Sequence, residues 1–203
     1  MAAFHCHKFN SKFKGKVDSN QAGDETYIKI NGKQNYTFFF ICSKSLKITA
    51  YHIDSSRNTL PATIAINEAI KTANPNQKFV LITDGNPSYQ HAVHFLNKHF
   101  DQKLNLTNVI GLQNLDSVSE QFRPFKQLIE RLNRTYKFHM RAANGFHSKN
   151  GAVSLTTLFV TFYNFLRPHM SLKYQSPIKL EALENIDTLQ GRWAAILQSA
   201  ICL

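Results

Sequence analysis

The stretch that most constrains this chain is residues 78–83, KFVLIT, in which four apolar side chains follow one another without a polar break. A run this short and continuous suits a strand buried on both faces, and covering both faces of a sheet calls for helices on each side. The run stops at Asp84-Gly85-Asn86-Pro87, a strong turn signal. Upstream lie three runs rich in Tyr, Phe, Ile and Thr, over 25–30, 36–42 and 46–53. They are separated by Asn31-Gly32-Lys33 and Ser43-Lys44-Ser45, breaks short enough to predict an antiparallel meander.

Helical spacing takes over elsewhere. Leu60, Ile64, Ile66 and Ile70 recur within 55–73, where Pro61 is tolerated in a first turn. A helix is expected over 88–99 and a further strand over 104–110. From Arg123 onward, at about 100° per residue, Phe125, Leu128, Ile129, Leu132 and Tyr136 fall in one stripe. Lys126, Glu130, Asn133, Arg134, Lys137 and Arg141 fall on the other side, so Glu130 is displayed among cations. Residues 154–165 read as a second, largely buried helix that stops before Arg167-Pro168. The order β-β-β-α-β-α-β-α-α predicts an α/β fold: a mixed sheet, three antiparallel strands plus parallel strands, flanked by helices. It is compatible with a ribonuclease H-like fold, which order alone does not single out. Residues 1–23 read as a polar, basic lead-in without fixed structure, 24–180 as one catalytic domain, and 181–203 as an amphipathic helical tail carrying Leu189, Trp193, Ile196 and Leu197.

Charge narrows the partners. The chain carries a formal net charge of +11 over 203 residues. Residues 1–53 hold 8 basic side chains against 3 acidic, and residues 121–149 hold 7 against Glu130 alone. Two separated basic zones favour a polyanion partner, most plainly nucleic acid. Three cysteines, odd in number and far apart, argue against a disulfide framework. No apolar run approaches membrane-spanning length.

Three carboxylates have addresses suited to chemistry. Asp24 heads the first strand, Asp84 ends the buried strand at a crevice, and Glu130 lies on the polar face of a helix. Phosphodiester chemistry with metals uses hard oxygen ligands from separate elements, and two divalent ions about 4 Å apart can serve the attacking and leaving oxygens. Each residue also has a plainer role: Asp24 and Asp84 as turn caps, Glu130 as a partner of Arg134 one turn on. The intervals between the three do not decide the matter.

At these residues the chain resembles the catalytic core of bacterial insertion-sequence transposases of the DDE class, relatives of retroviral integrases. The resemblance rests on DETYIKINGK (24–33), ITDGNPSY (82–89), FRPFKQLIERLNRTYK (122–137) and YNFLRPHMSLKYQSP (163–177), in family order. It implies a ribonuclease H-like fold, with Asp24, Asp84 and Glu130 as a catalytic triad holding Mg²⁺, or Mn²⁺ as a substitute. It also implies the reaction: water cuts DNA at a transposon end, and the freed 3′-hydroxyl then attacks target DNA. Arg134 and Lys137 would contact phosphate near the scissile bond, Asn133 would orient Glu130 or DNA, and Lys126, Arg131 and Arg141 complete the expected DNA-binding set. Tyr163, Asn164, Arg167 and His169 are expected to serve the fold. Transposon ends and target are the implied DNA partners, a homo-oligomer the implied active form, and the bacterial cytoplasm, at the nucleoid, the implied location.

Two departures from the family shape further expectations. Residues 1–23 are too short for the usual end-reading module, so the chain is expected to be a truncated copy or to borrow end recognition from another chain. The long interval between Asp84 and Glu130 predicts an inserted surface loop around 111–121. The alternative to an active transposase is a catalytically silent remnant that only binds nucleic acid.

Overall fold

The computed structural model describes residues 1–13, 20–73, 78–100, 103–109 and 117–202. The meander forms as its turn residues predict. Strand β1 (Asn20–Ile30) pairs antiparallel with β2 (Lys33–Cys42), with Ile30 opposite Lys33. The two residues between them, Asn31 and Gly32, both have positive φ (50° and 73°), the conformation that a two-residue hairpin requires and that Asn-Gly supplies. β1 begins at Asn20, five residues earlier than its apolar pattern suggests. β3 (Ile48–Asp54) pairs antiparallel with β2 and starts two residues later than expected, because Leu46 adopts φ 59° within the preceding turn.

The buried run becomes β4 (Phe79–Thr83), parallel to β1 on one side and to β5 (Leu104–Asn108) on the other. The five-stranded order is β3-β2-β1-β4-β5. Helices α2 (Thr59–Ile70) and α3 (Pro87–Phe100) cover one face, packing Ala62, Ile66, Tyr89 and Leu96 on Phe38, Phe40 and Leu81. Helices α4 (Ser117–Met140) and α5 (Lys149–Thr161) cover the other, packing Ile129, Leu132, Tyr136 and Phe159 on Phe39 and Ile41. Consecutive residues of β2 therefore point into two separate cores, as a sheet buried on both faces demands.

The α4 stripe is buried as its period predicts, with Ile129, Leu132 and Tyr136 at 2% exposure or less. The helix itself begins earlier than Arg123 and runs through Pro124. Residues 117–121, assigned from sequence to a surface loop, thus belong to α4, while the rest of that expected loop, 111–116, lies outside the described residues.

The N-terminal segment departs most from expectation. Ala2–Lys12 forms helix α1 with Cys6 and Phe9 buried. Phe9 meets Phe165 at 5.0 Å between ring centroids, and the same small core takes Ile196 and Ala200 from α6 (Leu189–Ile201). Cys6, Phe9 and Phe13 stand three and four residues apart, a helical stripe obscured in sequence by the His and Lys between them. Between α5 and the tail, Phe162–Leu166 forms a wider π-helical turn, closed by Arg167 N–H donating to the Phe162 carbonyl at 2.8 Å. Asn164 in this turn donates through Nδ2 to the Ile48 carbonyl (3.0 Å) and accepts from Ile48 N–H through Oδ1 (2.8 Å). One side chain thereby completes the backbone of edge strand β3. Nearby, Arg167 lies over the Tyr163 ring at 5.2 Å and His169 packs edge-on against it at 4.7 Å. All three cysteines are free, and no described helix is long and apolar enough to cross a membrane.

Candidate active site

The sheet brings two aspartates together by register. β1 and β4 run parallel with Asn20 beside Val80 and Ala22 beside Ile82, a constant offset of sixty. The same offset puts Asp24 level with Asp84, just past the last paired residues. There β4 ends and β1 continues, so its edge on that side opens into a crevice. Asp84 Oδ1 accepts from Asn86 N–H at 3.0 Å, closing an Asx turn around Gly85 (φ 88°), and Asn86 Oδ1 accepts from Ser88 N–H at the start of α3 (3.0 Å). The turn role and the crevice role of Asp84 coexist. Gly23, before Asp24, is the residue its neighbour permits: a Cβ there would come within 2.8 Å of Cδ1 of the buried Phe40 ring on β2.

Asp24 is fixed by two donors. Its Oδ1 accepts from Glu25 N–H (2.8 Å) and its Oδ2 from Asn133 Nδ2 on α4 (2.9 Å). Asp24, Glu25 and Asp84 each offer an oxygen, and the three lie within 4.8 Å of one another. Adjacent strand residues point to opposite faces, so Asp24 turns toward α4 and Glu25 toward α3 while both reach the open edge. The crowding has an electrostatic signature. Burial first, then the charges of Asp84 and Glu25, push the Asp24 carboxyl up to about 7, against the opposing pull of the Glu25 amide and Lys126.

The expected site residues divide by position. Asp24 and Asp84 are brought together; Glu130 is not a member of the close cluster. It stands on α4 across a cleft of about 700 Å³, lined also by Asp24, Glu25, Thr26, Gln127, Arg131, Asn133, Arg134 and Lys137. Arg131, Arg134 and Lys137 are exposed along this wall, and the Lys137 ammonium sits 4.0 Å from the ring centre of Tyr27 on β1. Two members of the expected DNA-binding set face inward instead. Asn133 is 9% exposed and holds Asp24, because it adjoins the buried stripe of α4. Lys126 donates to the Val109 carbonyl at 3.1 Å and lines a small cavity with Asp24 and Asp84. Arg141 is exposed in a single 3₁₀ turn after α4, outside the cleft lining. Sequence reading passed over Glu25, although a second carboxylate directly after Asp24 was the available signal.

A mixed five-stranded sheet in this order, antiparallel on one side and parallel on the other and covered by helices on both faces, defines a ribonuclease H-like fold. Residues 19–159 match the sequence profile of the DDE domain, and the chain belongs to that family of transposase and integrase catalytic domains. Among solved structures, it is similar to a chain of the simian T-cell lymphotropic virus intasome in complex with PP2A regulatory subunit B56 gamma. That likeness has a TM-score of 0.53 at 16% identity and covers 78% of this chain and 52% of the other. It is also similar to the HTLV-2 integrase catalytic core domain in complex with magnesium (TM-score 0.48, 13% identity, 80% and 96% covered). The chain spans about half the length of the intasome chain it matches. No curated protein matches it significantly in sequence.

Proposed function

We propose that this chain is the catalytic domain of an insertion-sequence transposase, cutting DNA at transposon ends and joining the freed 3′-hydroxyl to target DNA, with Asp24, Asp84 and Glu130 as its metal-holding residues. The observation that carries this reading is the juxtaposition of Asp24 and Asp84 where β4 ends beside β1, next to a helix that presents Glu130 among Arg131, Arg134 and Lys137.

The donor set fits a hard divalent cation. It consists of carboxylate oxygens, those of Asp24 and Asp84 lying within 4.8 Å of one another, and burial together with the neighbouring negative charges already raises the Asp24 carboxyl to about 7. The buried Asn133 Oδ1 beside them has no hydrogen-bond partner among the described residues. Bound Mg²⁺, or Mn²⁺ in its place, supplies Lewis-acid stabilisation of the phosphoryl charge and activation of the attacking oxygen. The chain's own residues supply position. Asn133 and the Glu25 amide hold the two oxygens of Asp24, the Asx turn holds Asp84, and Arg131, Arg134 and Lys137 hold backbone phosphates along the cleft. Joining two transposon ends uses at least two such sites, so the active form is a homo-oligomer on DNA, at the nucleoid of a bacterial cell.

The test is nicking and joining of supercoiled DNA in millimolar Mg²⁺. Asp84→Asn and Glu130→Gln abolish both steps, while DNA affinity stays equal or rises slightly as an anion is removed. Nicking by Asp84→Asn at the rate of the unaltered chain overturns the assignment.

A further inference from the structure

Glu25 is a carboxylate that the triad does not use, yet its side chain is only 7% exposed. Burying an anion beside two others is costly unless donors satisfy it. Here the donors come from one direction. Asn86 Nδ2 donates to Oε1 at 2.7 Å, the Tyr89 hydroxyl donates to Oε2 at 2.8 Å, and Arg57 Nη1 stands 3.8 Å from Oε1. Arg57 is itself tied to the same loop, since its carbonyl accepts from Ser88 Oγ at 2.7 Å.

The two hydrogen bonds end at the segment that follows Asp84, and Arg57 reaches it through Ser88. Asn86 is the residue whose N–H binds Asp84 Oδ1 and whose Oδ1 caps Ser88. Gly85 between them, at φ 88°, gives that segment the backbone freedom that a side-chain anchor must remove. Tyr89 provides a rigid post. It is fully buried, and its ring packs edge-on against Phe38 and Phe40, each at 6.3 Å. Burial keeps its phenol protonated, with a pKa raised well above the ordinary value, so it can only donate to the carboxylate.

We propose that Glu25 is a positioning residue that fixes Asp84 for its cation by gripping Asn86 and Tyr89, and that it takes no cation itself. This rests on the metal-site reading given above. Both Glu25 oxygens are engaged by the α3 side of the crevice, whereas Asp24 takes its donors from the Glu25 amide and from α4. Partners that hold a ligating carboxylate in place typically affect metal affinity by about 10- to 100-fold when removed.

A double-mutant cycle separates the two roles, because Asn86→Ala breaks the grip without altering any carboxylate. Mg²⁺ affinity is read by calorimetry on the DNA-free protein, alongside kcat and KM for nicking. Glu25→Ala and Asn86→Ala each weaken Mg²⁺ binding by about tenfold or more. Each lowers kcat while leaving KM for DNA unchanged, and the double variant is no worse than the poorer single. Glu25→Gln, which can still accept from Asn86 and donate to the Tyr89 oxygen, recovers part of the kcat lost in Glu25→Ala. Tyr89→Phe keeps the core ring and moves affinity in the same direction, so the test survives if Glu25→Ala does not fold. Unaltered Mg²⁺ affinity in Asn86→Ala, or additive losses in the double variant, overturns the positioning role. Asp84→Asn is the reference: Mg²⁺ binding that survives in it defeats the metal-site reading itself, a failure distinct from either of these.

Discussion

Replacing Asp84 by Asn should stabilise the cation-free protein, an unusual expectation for a residue at a strand end. The isosteric amide keeps the carbonyl oxygen that accepts from Asn86 N–H, so the turn at Gly85 is retained. What disappears is a charge within 4.8 Å of two others. At that distance one pair of unit charges costs about 1 kcal/mol in a water-like medium and about 3.5 kcal/mol at an effective dielectric near 20. Relief of about 1–3 kcal/mol is therefore expected at pH 8.5, or about 2–4 °C in Tm per kcal/mol for a chain of this size. The gain must shrink on acidification. Because folding raises the Asp24 carboxyl from 3.8 to about 7, this group favours the folded state below pH 4 and loses that contribution as pH rises through 7. Three pKa units correspond to about 4 kcal/mol over that window, and Asp84→Asn should lessen it only by the share owed to the Asp84 charge, leaving the larger share due to burial. Mg²⁺ should then act in the opposite sense: at ten times its Kd it stabilises the unaltered chain by about 1.4 kcal/mol and the variant hardly at all. Urea unfolding at pH 5 and 8.5, with EDTA or Mg²⁺, reads all of these quantities. A variant less stable than the unaltered chain in EDTA at pH 8.5 would refute the reasoning, since repulsion could not then be the dominant effect at Asp84.

Cation binding at pH 6 should displace the Asp24 proton, so calorimetry in two buffers of different ionisation enthalpy should read roughly 0.9 proton released per site, falling toward zero by pH 8.5. Asn164→Ala strips both partners from the Ile48 backbone and should cost about 2–4 kcal/mol in urea unfolding, with the Ile48 amide losing its hydrogen-exchange protection; a change below about 0.5 kcal/mol would mean water replaces the side chain. Arg134→Ala with Lys137→Ala should lower the salt slope of DNA binding by about two, and an unchanged slope would leave those cations merely solvated.

The parts of the fold readable from sequence were those fixed by local period. Residues 78–83 announced a doubly buried strand because no polar residue interrupts them, and α4 announced its inner face through Ile129, Leu132 and Tyr136. The same geometry refines the site: Asn133 and Lys126 lie about 40° and 60° around the helix from Ile129, whereas Glu130 and Arg134 lie about 100° and 140° away. The first two turn inward to the aspartates, and the latter two face the cleft. Helix α1 was hidden because the partners that cover its apolar stripe, Phe165 and Ile196 among them, lie more than 150 residues away in the chain. The anchoring of Glu25 was hidden for a related reason, since Asn86 and Tyr89 approach it only once β1 and β4 have paired.

That pairing also bears on how such a chain can change over generations. Asp24 and Asp84 are held level by the β1–β4 ladder, not by the fifty-nine residues of polypeptide that join them. The hairpin at Asn31-Gly32, the approach to α2 and the turns around it can therefore lengthen or shorten freely while the aspartates stay abreast. A slip of a single rung would not be forgiven: it would set Asp84 beside Gly23 or Glu25 and turn it toward the wrong face of the sheet. Descendants of this sequence can thus drift widely in the distance between the two acids while keeping Ala22 abreast of Ile82. A search for kin keyed to that alignment, rather than to a fixed count of residues, would follow the lineage furthest.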